Sequence, residues 1–378
     1  MDEKQKILWI DGLKFIACMG VFWSHFLKVY VLGSEVGITE INHIVRSFFD
    51  IINVLVNGNF WVCVFCILSG YLAYQKSANT FKELMIDLFI RYLRFVVPFA
   101  VMAIVVWLIS ISIKFPTSLY SELLKNPSLL EHYTNKINVI DICKCIFLFN
   151  PVLNSTMWMI QPLFLTNCII YIYNFAVRKI NNHSTNMILI VLFIIFGLAG
   201  RIQNNCMYCA CVLLGCFISD KLFCKMNEKV RIIIFITSII LLSGGHDAII
   251  SIISGYINMP SILYLGPYWN MIYAFGILGL IYHTESIQNI LEIRLFHKLN
   301  GLSFPIYIFH WPLITSVSLW IYGGLYNSGL SYTSIFILNF VSINIIVLTF
   351  SIMYNRTLGI WSTRFISGVK SKLLIYGT

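Results

Sequence analysis

Apolar residues run along this chain in blocks of about 20, the length a helix needs to cross the hydrocarbon of a bilayer. Ten such blocks are predicted as spans, at 8–30, 51–74, 93–114, 157–177, 185–200, 204–219, 230–244, 261–283, 302–323 and 332–355. A shorter apolar piece, 247–258, is expected to be re-entrant or interfacial. Residues 75–92 have a different rhythm. There Phe81, Leu84, Met85, Leu88 and Phe89 recur at helical spacing among charges. This predicts an amphipathic helix on the inner membrane face that feeds Arg91 and Arg94 into the third span. The longest polar connection, 115–156, is the natural place for a lid or a substrate platform. The predicted fold is all-α, a polytopic integral membrane protein with about ten transmembrane helices.

Composition narrows this further. Of the 378 residues 58% are hydrophobic and 11% charged, and the mean hydropathy is +0.81, which excludes a soluble domain. No long polar stretch carries an apolar period of its own. Residues 1–378 are therefore expected to form a single membrane-embedded domain with no appended soluble domain. Lys4 and Lys6 precede an apolar run as in a signal peptide, but charges interrupt that run and no small-residue cleavage site follows, so the segment is expected to be retained. The net charge of +10 does not point to nucleic acid, because no basic cluster is interleaved with aromatics. The charge instead sorts by loop. With the N-terminus inside, 18 of the 26 Lys and Arg residues fall on inside segments and 7 on outside ones, with Lys14 in a span. Both termini are thus expected in the cytoplasm. The eleven cysteines lie mostly in apolar runs, and the Cys63–Cys66 and Cys206–Cys209–Cys211 spacings read as small-residue packing, with no metal expected.

The costly residues are those that ionise inside a span. Asp11, Lys14 and His25 all lie in the first block. On a helix, eleven residues turn through about 1100°, so Lys14 and His25 lie about 20° apart in azimuth and about 16 Å apart in rise. Asp11 stands one turn before Lys14 on the same side. A polar stripe through a membrane suggests a site or a path, although an interfacial ion pair and a structural histidine remain the plain readings.

Four local patterns, DGLKFIACMGVFWSH (11–25), FCILSGYL (65–72), RYLRFVVP (91–98) and LSFPIYIFHWPL (302–313), appear in this order. Together they resemble the acyltransferase-3 family of multipass membrane enzymes, which O-acylate bacterial surface and exported carbohydrates. The resemblance covers essentially the whole chain. It departs from the family pattern at Lys14, where an arginine is usual, and at Gln161, where Trp158 is usually followed by glutamate or arginine. Lysine keeps the charge but loses the planar fork.

The resemblance implies an O-acyltransferase, as in most of the family an O-acetyltransferase, in the bacterial plasma (inner) membrane. It would move an acyl group from cytoplasmic acyl-CoA, chiefly acetyl-CoA, to a hydroxyl of an extracytoplasmic or lipid-linked carbohydrate. His25 would be the general base, a role that suits neutral imidazole near pH 7, with Lys14 and Asp11 beside the donor. Arg91, Arg94, Lys14 and Ser69 would meet the coenzyme. Guanidinium suits its phosphates, while the plain readings are flanking charges for the arginines and helix packing for Ser69 and Gly70. Trp158, Gln161, Tyr307 and His310 would face the substrate, with His310 equally readable as structural. Arg201 is a snorkelling end residue or a ligand for an anionic sugar. The alternative from another class is a transporter of a polar solute, with Asp11, Lys14 and His25 as its path. The expected partners are acetyl-CoA, a glycan acceptor and the bilayer, with no nucleic acid, and the sequence does not give an oligomeric state.

Overall fold

The structure is a computed structural model that describes residues 8–51, 53–112, 115–129, 137–180, 185–218, 226–242, 266–294, 296, 299 and 301–375. The described residues are helical, with no strand among them. Five helices are long and apolar enough to cross a membrane: Leu8–Leu32, Phe81–Ser112, Ser155–Val177, Ser303–Tyr326 and Tyr332–Ile375. Four more, Gly58–Tyr74, Met187–Ala199, Asn204–Phe217 and Tyr268–Tyr282, are apolar but shorter. The piece at 247–258 lies outside the described residues. The chain divides into two compact units.

The first unit comprises Met1–Val21, Phe48–Leu84 and Pro162–Asn300. Its centre is the close approach of Gly58–Tyr74 to the helix Asn204–Leu214 and the turn that follows it. A Cβ on Gly70 would run into the Val212 carbonyl, and one on Gly215 would meet the backbone of Ile67, Gly70 and Tyr71. Small residues let two backbones touch where lipid supplies no hydrophobic drive between helices. Side-chain amides satisfy both ends of Gly58–Tyr74, as hydrocarbon requires. Asn57 accepts from the Phe60 N–H at 3.1 Å. At the other end, Asn174 donates to the carbonyls of Tyr74 and Lys76 at 2.9 and 2.7 Å.

The second unit comprises Phe22–Ser47, Met85–Gln161 and Gly301–Thr378. Among its spans, 78% of the best window of Ser303–Tyr326 is buried by protein, against 28% for Phe81–Ser112, so the former is the core helix and the latter presents most of its apolar surface outward. Pro312 lies inside the core helix. It has no N–H, so the Ile308 carbonyl one turn earlier loses its helical donor. The Asn154 side chain supplies the missing donor at 2.9 Å.

The predicted surface helix and third span are one continuous helix, Phe81–Ser112. The charges that marked 75–92 as interfacial are partly covered by protein. Asp87 pairs with Lys370 at 2.9 Å, and Ile86 and Ile90 pack on Ile366. The basic tail is itself a helix, Ile360–Ile375, that continues from Tyr332–Tyr354 through a π-helical turn at Asn355–Gly359.

Within the predicted outside segment, the helix Val139–Leu148 leaves Cys143 exposed and Cys145 buried. Burial pushes the Cys145 thiol up to about 12, so almost no thiolate forms at neutral pH. A membrane-impermeant maleimide added to intact cells at pH 7 is expected to label Cys143 and spare Cys145, with the signal lost in Cys143→Ser. Labelling of Cys143 only after permeabilisation would reverse the orientation expected from the charge bias.

Candidate active site

The helix Leu8–Leu27 carries Asp11, Lys14 and His25. In the first unit, Lys14 Nζ lies 3.9 Å from Asp11 Oδ1, the i,i+3 pair expected from the spacing. Ser69, also in that unit, accepts from Asn167 Nδ2 at 2.9 Å.

His25 belongs to the second unit and stands in the last turn of its helix, just before the π-helical turn Lys28–Leu32. Its ring centre is 5.2 Å from that of His310 and 5.3 Å from Trp311. His310 likewise precedes a π-helical turn, Ile314–Ser318. Such turns widen the helix locally and recur at functional sites. The structure therefore brings together two histidines that lie 285 positions apart in sequence, with a tryptophan against one of them.

His310 is fully buried. Its Nδ1 lies 3.0 Å from the Ile306 carbonyl. A carbonyl can only accept, so Nδ1 must carry the proton, and Nε2 is left with the lone pair. That Nε2 is buried and makes no hydrogen bond. Phe22 and Tyr307 flank the ring at 6.2 and 6.1 Å. The Tyr307 hydroxyl donates to the Thr156 carbonyl, and Thr156 Oγ1 donates to Asn154 Oδ1 at 2.7 Å. With the Asn154 bond to Ile308, the segment 154–156 is tied to the His310 helix at two successive residues, Tyr307 and Ile308. Trp158 follows on the same segment, half-buried. Gln161 donates to the Leu148 carbonyl at 2.8 Å.

The structure separates the two arginines. Arg91 lies over Phe95, its guanidinium carbon 5.7 Å from the ring centre. Arg94 lines a cavity of about 340 Å³, together with Pro98, Phe304, Asn355, Ser362 and Thr363 among others. Gly301 belongs to this wall. Its φ of +84° suits glycine, and a Cβ there would press on the Asn355 amide at 3.1–3.2 Å. Phe304 is on the same helix as His310, six residues earlier, a rise of about 9 Å. Sequence reasoning did not single out Asn154, Asn355, Ser362 or Thr363. Pro312 signals that some donor must reach Ile308, but nothing local identifies which residue provides it. Among the described residues no group of three or more His, Cys, Asp or Glu is placed to hold a metal ion.

A family model described as an acyltransferase domain matches residues 7–356. No curated protein and no solved structure matches the chain.

Proposed function

The chain belongs to the acyltransferase-3 family and is an acyltransferase. From that premise we propose that it transfers an acetyl group from cytoplasmic acetyl-CoA to a hydroxyl of an extracytoplasmic or lipid-linked carbohydrate, in a bacterial plasma membrane. The observation that carries this reading is the His25–His310 pair with Trp311, an imidazole site within apolar helices. His25 takes the proton of the acceptor hydroxyl as its oxygen attacks the thioester carbonyl. The C–O bond forms, the C–S bond breaks, and the imidazolium returns the proton to the departing thiolate. Neutral imidazole does both jobs without leaving a net charge in the hydrocarbon. Trp158, Gln161 and Tyr307 are read as the acceptor side. Lys14, with Asp11 as its partner, and Ser69 are read as serving the donor. The transporter alternative draws no support from the family match.

The cavity beside Arg94 suits the phosphorylated end of the donor, because it combines a guanidinium with amide and hydroxyl groups from Asn355, Ser362 and Thr363. Its helix leads from Phe304 toward His310 over a distance that a pantetheine arm spans. Arg94→Ala is expected to raise KM for acetyl-CoA at least tenfold with kcat within about twofold, the loss of one charge-assisted contact of roughly 1.5–3 kcal/mol. Arg91→Ala is expected to change KM less. Steady-state kinetics on the purified protein distinguishes the two.

The reading as a whole is tested with purified protein, acetyl-labelled acetyl-CoA and a panel of glycans. Label recovered as an ester on a glycan supports it. Label that stays on coenzyme A or passes to water, in a preparation that binds acetyl-CoA, refutes it.

A further inference from the structure

We propose that His310 is a positioning residue that orients and polarises His25, rather than a second base or a packing group. The inference rests on the reading of His25 as the base. Its own support is the hydrogen-bond arithmetic of His310. The Ile306 carbonyl fixes the proton on Nδ1, and Nε2 is thereby a permanent acceptor, fully buried and without a donor. A buried acceptor left unmet carries its full desolvation penalty, which a donor that meets it during the reaction would remove.

His25 is placed to be that donor. Ring centres 5.2 Å apart allow a nitrogen of each ring to approach to about 3 Å once the half-buried His25 ring turns. Of the two rings that flank His310, Phe22 has no donor and the Tyr307 hydroxyl is engaged by Thr156. When one His25 nitrogen gives its N–H to His310 Nε2, the other must hold the lone pair and face the acceptor hydroxyl. As His25 takes up the substrate proton, its N–H toward His310 becomes more acidic and the bond strengthens. The support is thus greatest when positive charge develops. A base aligned by a third group is the general form of an activated catalytic pair. Here a neutral imidazole takes the aligning role that a carboxylate fills in a Ser-His-Asp triad, which avoids burying an anion. Two π-helical turns, one after each histidine, let both rings face each other from separate helices.

The test combines a spectroscopic and a kinetic readout on the full chain. With ¹⁵N-labelled histidine, resonances assigned by their loss in His25→Ala and His310→Phe should show His310 protonated at Nδ1 only. They should also show His25 as a single tautomer that becomes a mixture in His310→Phe. In turnover with acetyl-CoA and the best-labelled panel glycan, His310→Phe should lower kcat about 100-fold with KM for acetyl-CoA unchanged. His310→Gln, whose amide oxygen replaces the acceptor, should recover at least tenfold of that loss. If His310 carries its proton on Nε2, or if His310→Phe turns over normally while His25→Ala is inactive, this inference is overturned and the base assignment stands. Full activity in His25→Ala would instead remove the base assignment itself.

Discussion

Replacing His25 with alanine is expected to lower acyl transfer about a thousandfold, with KM for acetyl-CoA within about threefold of the parent. Positioned proton transfer contributes about 10²–10⁴ in rate, and the ring sits where the acceptor hydroxyl must lose its proton if the reaction runs as proposed. In the proposed reaction the donor end is held elsewhere, at Arg94 and the polar wall around Asn355, so binding and chemistry should separate in the kinetics. Yield and detergent-resistant folding should be unchanged, because His25 is half-buried and stands outside the fully buried core. A loss confined to KM would place His25 in binding instead of catalysis.

The largest stability effect is expected at Gly70. Gly70→Ala adds one methyl group where the Val212 carbonyl already touches the helix, and Gly215, three residues after Val212, is pressed against the same turn. Neither partner is a flexible side chain, so relief requires one helix to move. Overpacking of a tight core costs about 1–3 kcal/mol and more when backbone must shift. We expect a fall in thermal stability in detergent of at least 10 °C, or failure to accumulate. Ser69→Ala, one position earlier, removes an acceptor from Asn167 and should cost about 1 kcal/mol. Equal stabilities for Gly70→Ala and Ser69→Ala would show that the helices have room that the structure denies them.

The neighbouring positions Ser69 and Gly70 also show what the sequence could and could not convey. Both stood out locally as a small-residue step, but only Gly70 proves to be a backbone contact, because that depends on residues 142–145 positions away. The helical, membrane-spanning character was legible because apolar length is a local property, with five of the ten expected spans long and apolar enough to cross, and the Asp11–Lys14 pair because i,i+3 spacing determines it. The pairing of His25 with His310 and the lining of the Arg94 cavity required two distant helices to meet, which no periodicity encodes. The helix predicted within 75–92 is present from Phe81, but its continuity with the third span and its packing on the last helix were not legible locally. Asp87 reads as solvent-facing until Lys370 covers it.

The proline in the core helix has a consequence for how the protein is made. Asn154 is synthesised more than 150 residues ahead of Ile308, the carbonyl it will serve. When the ribosome delivers residues 303–326 to the bilayer, the amide that completes their backbone bonding already stands in place. A late helix with one carbonyl opened by its proline thus has its donor made well before it is itself synthesised.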